Sequence, residues 1–126
     1  AFDSGRYTVA AGATGLIRAS MDASKRYVEE RTVAGKPLSD LQLIQDKIAR
    51  MSLDYQAARL LYLKAGWLKN QGIRNTRETS AAKWFATEAS FRAASEAVQI
   101  HGAYGYSDEY PVERYMRNAR GAMIYE

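Results

Sequence analysis

The sequence predicts an all-α fold, an up-down helical bundle of three long helices closed by a shorter C-terminal helix. Three observations carry this. Apolar residues recur at alternating spacings of three and four over most of the 126 residues. Gly35-Lys36-Pro37, Gln71-Gly72 and Gly102 punctuate those runs. No segment shows the sustained alternation of a half-buried strand.

The first helix is expected from about Gly5 to Arg31. Val9, Gly12, Leu16, Ala19, Ala23 and Tyr27 form one stripe; Ala10, Ala13, Ile17, Met21 and Val28 form its neighbour. Small residues dominate its first half and allow another backbone or a flat ligand to come close. Pro37 then forbids helix continuation, and Ser39 or Asp40 offers an N-cap. The second helix is expected from about Asp40 to Asn70, with the stripe Leu41, Ile44, Ile48, Met51, Tyr55, Ala58 and Tyr62. Its length, about 46 Å at 1.5 Å per residue, suits a bundle. Gly72 stands at the C′ position. The third helix is expected from about Thr76 to His101, with Thr79 or Ser80 as an alternative start and Ala82, Phe85, Ala89, Ala93, Ala97 and Ile100 on one face. Gly102 ends it. Pro111 sits at the first turn of a fourth helix reaching about Arg120.

Composition narrows the classes. The length suits one domain with one core. No apolar run approaches the ~20 residues of a membrane-spanning helix, and no secretory leader is visible. Zero cysteines rule out a disulfide framework, a thiolate nucleophile and a Cys-ligated metal. The net charge of +4 can steer a phosphate-bearing ligand. Acidic residues interrupt the basic ones throughout, which argues against a nucleic-acid tract. His101, the single histidine, lacks the carboxylate or cysteine neighbours of a metal site.

Several short motifs are more specific than periodicity. They include Phe2-Asp3-Ser4-Gly5-Arg6 with the small-residue run after it, Glu30-Arg31 before Gly35-Lys36-Pro37-Leu38, and Leu43-Ile44-Gln45. Ala58-Arg59-Leu60, Ala81-Ala82-Lys83, Gln99-x-x-Gly102-x-x-Gly105 and Pro111-Val112-Glu113-Arg114 continue the series to Ile124-Tyr125-Glu126. In this order they resemble the C-terminal helical domain of the acyl-CoA dehydrogenase family. The resemblance covers essentially the whole chain. It implies one domain, residues 1–126, of a larger enzyme whose N-terminal helical and middle β-domains lie outside this chain.

The resemblance also implies chemistry. Glu126 corresponds to the carboxylate that removes the α-proton of an acyl-CoA, with FAD taking hydride from the β-carbon to leave a 2-enoyl-CoA. Gly5 has no side chain to act at the position where some branches carry that base instead. Arg31, Gln99, Gly102 and Tyr125 correspond to FAD contacts, with Arg31 reaching the pyrophosphate of a neighbouring subunit's cofactor. Asp3 and Arg6 correspond to positions near the acyl-CoA substrate.

Two positions depart from the family pattern. Ala34 stands where phenylalanine is usual. Ala103 stands where a second glycine is usual, and a positive φ there would strain it. The implied partners are acyl-CoA, an electron-transfer flavoprotein as electron acceptor, and further copies of the chain in a dimer or tetramer. The implied location is a bacterial cytoplasm or a mitochondrial matrix. The 126-residue chain alone is expected to fold but to be inactive. Two other readings share the periodicity: a non-catalytic helical oligomerisation module, and a flavin oxidase or monooxygenase of the same fold.

Overall fold

The structure, a computed structural model, describes residues 2–125. Among them four α-helices form the bundle: α1 (Phe2–Glu30), α2 (Gln42–Asn70), α3 (Thr76–His101) and α4 (Val112–Ile124). The all-α expectation holds.

Side-chain pairs fix the directions. Thr76 Oγ1 donates to Asp3 Oδ2 at 2.7 Å, and Arg6 Nη1 to Ser80 Oγ at 3.4 Å. At the other end Tyr27 stacks on His101. The sequence offset is 73 or 74 at both ends, so α1 and α3 run parallel. Lys69 Nζ donates to Ser4 Oγ, and Lys47 pairs with Glu96, so α2 runs antiparallel to both. Arg120 over Phe91 brings the last turns of α4 back along α3.

The core is built from small side chains. α1 contributes Ala10, Ala13, Ile17, Ala23, Tyr27 and Val28; α3 contributes Ala82, Ala86, Ala89, Ala93, Ala97 and Ile100. Alanine faces let two helix backbones approach closely, and α1 shares its most extensive surface with α3. Met51, Ala58 and Ala65 bury one face of α2 at seven-residue spacing. Of the two stripes read in α1, Ala10–Ala13–Ile17 is buried, while Gly12 is exposed and Leu16 half-buried. No atom lies within 4 Å of where a Cβ on Gly12 or Gly15 would stand, so neither marks a close approach within this chain.

Several boundaries differ from the sequence reading. α1 stops at Glu30, and Arg31 lies just past it. A short antiparallel hairpin follows, β1 (Thr32–Val33) with β2 (Lys36–Pro37). Its turn places Ala34 at φ +53 and Gly35 at φ +81. A Cβ makes that conformation costly at Ala34, by about 1 kcal/mol. Leu38–Asp40 then form a 3₁₀ turn, which displaces the start of α2 to Gln42 with extended Leu41 at its N-cap. Neither Ser39 nor Asp40 caps the helix. α4 runs four residues past Arg120, because Ala122 is buried and rewards continuation.

Candidate functional site

The end of the bundle where α1 and α3 finish carries the most organised cluster. Gly102 follows α3 at φ +62 and ψ −139, a conformation open essentially to glycine. Its N–H bonds the Gln99 carbonyl. A second 3₁₀ turn, Gly102–Tyr106, follows. Gly105 is pressed onto α3: a Cβ there would lie 2.6 Å from Val98 O and 2.8 Å from His101 Cβ. Ala103, by contrast, carries no positive φ; among the described non-glycine residues only Ala34 does. The strain expected at Ala103 does not arise, because the unusual conformation falls on Gly102.

Arg31 meets this turn from the α1 side. Its guanidinium carbon stands 5.8 Å from the Tyr104 ring centroid, within cation–π range. Beneath them lies an aromatic cluster. Tyr27 stacks on His101 at 4.1 Å, Tyr110 meets Tyr27 edge-on at 5.5 Å, and Tyr104 lies 5.9 Å from Tyr110. Tyr27 and His101 are buried, whereas Arg31, Gln99, Gly102 and Tyr104 are exposed. Burial raises the Tyr27 phenol above its ordinary pKa despite the opposing pull of Arg31. The phenol therefore stays protonated and donates to the His101 carbonyl, at 3.4 Å. Burial also holds the His101 imidazole below its ordinary value, against the upward pull of the hydrogen bond to Ala97.

This corner suits an anion. An exposed guanidinium can bond two oxygens of a phosphate at once. The same end of the bundle carries the exposed Gln99, on the last turn of α3, and the bare backbone of Gly102, with no atom within 4 Å of a Cβ position there.

The remaining predicted residues lie elsewhere. Asp3 and Arg6 come together at the opposite end of α1, facing the first turns of α3. About 21 helical rises of 1.5 Å separate Arg6 from Tyr27, some 32 Å. Tyr125 caps α4 and is 55% exposed. It lies 13 residues past Val112, about 20 Å along α4. Glu126 lies outside the described residues. Periodicity did not identify Tyr104 and Tyr110 as part of the corner, although their spacing from His101 repeats aromatic residues through the post-helix turn.

Among the described residues no group of three His, Cys, Asp or Glu side chains could hold a metal, and no helix is long and apolar enough to cross a membrane.

Comparison with known proteins agrees with this geometry. The family model for the acyl-CoA dehydrogenase C-terminal domain matches residues 1–126. A probable acyl-CoA dehydrogenase of Bacillus subtilis, YngJ, is 46% identical over 118 residues, covering 94% of this chain and 31% of the relative. Butyryl-CoA dehydrogenase from Megasphaera elsdenii superposes with a TM-score of 0.96 at 43% identity, over 98% of this chain and 32% of that one. A chain solved in work on the electron transferring flavoprotein of Acidaminococcus fermentans also superposes at 0.96, with 41% identity and the same coverage. The chain spans about a third of the length of the relatives it matches. With the family model matched from end to end and that bundle reproduced, the chain belongs to the acyl-CoA dehydrogenase family, in the part that forms its C-terminal domain.

Proposed function

We propose that this chain is the C-terminal helical domain of a flavin-dependent acyl-CoA dehydrogenase that converts an acyl-CoA to a 2-enoyl-CoA. The observation that carries the proposal is the meeting of Arg31 with the Gln99–Gly105 turn on one exposed corner, beside Tyr104. The parallel packing of α1 on α3 brings the two motifs to one end of the bundle, and an exposed guanidinium beside a glycine-opened turn is a surface that an anionic ligand can use.

In this reading Arg31 binds pyrophosphate oxygens of FAD, while the Gln99 amide and the Gly102 backbone hold its adenosine half. Arg31 serves the cofactor of a neighbouring subunit, while Tyr125, at the far end of α4, serves its own. Glu126 is the base: its carboxylate takes the proton from the carbon beside the thioester, and an apolar pocket would raise its pKa toward that task. Bound FAD would supply the hydride acceptor. Tyr125 borders the flavin, and Asp3 and Arg6 lie toward the coenzyme A side. The likeness to butyryl-CoA dehydrogenase supports an acyl-CoA substrate. The likeness to the A. fermentans chain supports an electron-transfer flavoprotein as acceptor. Bacterial relatives and the absence of cysteine fit a bacterial cytoplasm or a mitochondrial matrix. The 126-residue chain alone, lacking partner domains, is inactive in this account.

Homo-oligomerisation belongs to the same proposal. Leu53, Leu60 and Trp67 recur every seven residues on α2 and are 67, 66 and 59% exposed, with Leu63 beside them. Such a stripe is an interface pattern, and a further copy of the chain is the occupant the dimer or tetramer reading names.

The test is flavin retention in the whole enzyme carrying Arg31→Gln. Loss of a bidentate charged contact lowers flavin affinity by about tenfold or more. Unchanged flavin content and dissociation would remove Arg31 from the cofactor site.

A further inference from the structure

His101 is the last residue of α3 and only 3% exposed. Its Nδ1 lies 2.7 Å from Ala97 O. A carbonyl only accepts, so Nδ1 carries the proton and the neutral ring leaves Nε2 bare. Tyr27 from α1 covers one face of the ring, and Tyr110 meets it edge-on at 5.2 Å. Tyr110 lies against Tyr104, and Tyr104 carries the Arg31 guanidinium. A continuous line of contacts therefore runs from a buried imidazole to an exposed cation. The backbone provides a second link. His101 directly precedes Gly102, and its Cβ is one of the atoms against which Gly105 is pressed.

We propose that His101, seated on Tyr27, is a positioning residue: it holds the Gly102–Tyr106 turn, and through Tyr104 the Arg31 guanidinium, in the arrangement that an anionic ligand of the pyrophosphate class meets. The identity of that ligand rests on the flavin reading above; the positioning does not. The seat is built for a neutral ring. From α1 it is faced by the Tyr27 ring and from the loop before α4 by the Tyr110 ring, neither of which offers a carboxylate to pair with an imidazolium. Arg31, beyond Tyr104, is itself a cation and offers an imidazolium no pairing. Among the described residues no carboxylate is hydrogen-bonded to His101. Burial disfavours the second ring proton. Its arrival on acidification therefore loosens the seat, and the turn and Arg31 lose their fixed relation.

The test follows the Arg31 Nε–H and Tyr104 ring signals by NMR between pH 8 and 5, in the wild-type chain and in His101→Gln. Both signals are expected to shift with one midpoint, below 6.5, coincident with the titration of His101 itself. The midpoint should vanish in His101→Gln. Signals that stay flat through the His101 titration, or that move identically in the variant, overturn the proposal. If the variant does not fold, coincidence or its absence in the wild type decides alone. A second arm measures flavin dissociation in the whole enzyme. Affinity is expected to fall by up to about tenfold per pH unit below the same midpoint, one proton's worth. An enzyme that binds no flavin while the NMR midpoints coincide refutes the flavin reading and leaves the positioning intact. Flavin binding without coincident midpoints does the reverse.

Discussion

The rings of Tyr27 and His101 stack 4.1 Å apart although 74 positions separate them. The same offset recurs between Arg6 and Ser80 at the far end of the bundle. α1 and α3 therefore hold one parallel register along their whole length. That register delivers Arg31, one residue beyond α1, to the turn that begins one residue beyond α3.

Stability is expected to fall on mild acidification because of this stack. The folded state lowers the His101 pKa, so below about 6.5 the unfolded chain binds more protons than the folded one. The contribution is complete above 6.5 and is lost as pH falls through the folded value. Its size is about 1.4 kcal/mol for each unit between the two pKa values. Urea midpoints across pH 7.5 to 5 measure it, and His101→Gln should flatten the dependence over that window.

Gly105→Ala is expected to destabilise by about 1–3 kcal/mol, because the new methyl meets Val98 backbone at 2.6 Å and cannot be accommodated by side-chain movement. Gly15→Ala, on an exposed helical face with open space around it, should gain about 0.5–1 kcal/mol. Thermal or urea denaturation of the pair checks both signs. Equal effects would mean that the turn is not packed against α3.

Much of this was legible in the sequence, and the failures share a cause. α3 ends at His101 as expected, because Gly102 is a stop that local chemistry enforces. The start of α2 was misplaced because Leu38–Asp40 close a 3₁₀ turn that no periodicity distinguishes from a first helical turn. Both neighbouring stripes of α1 reach the core, Ala10, Ala13, Ile17 and Val28 from one and Ala23 and Tyr27 from the other, and their division depends on where α3 lies. The Arg31 corner was readable only as two family motifs. Tyr104, Tyr110 and the seat of His101 were not, because their contacts join elements far apart in the chain.

Ser20 and Ser24 are fully buried on α1, and their hydroxyls have no partner among the described residues. An unpaired buried hydroxyl costs about 1–3 kcal/mol, and alanine is also the better helix former. Ser20→Ala and Ser24→Ala are each expected to leave stability unchanged or raise it by about 1 kcal/mol. A clear loss in chemical denaturation would show that both hydroxyls are engaged in solution.

The exposed stripe on α2 predicts assembly. Leu60→Lys with Trp67→Lys is expected to shift the enzyme toward smaller species in sedimentation velocity, with helix content by circular dichroism unchanged. An unaltered distribution would place the subunit contact on another face.

Anaerobic stopped-flow reduction of the whole enzyme carrying Glu126→Gln reads the role of this carboxylate without intermediary. The variant is expected to keep its flavin while acyl-CoA reduces it about 10²–10⁴-fold more slowly, the contribution of a positioned base. Flavin reduction at the wild-type rate would contradict it.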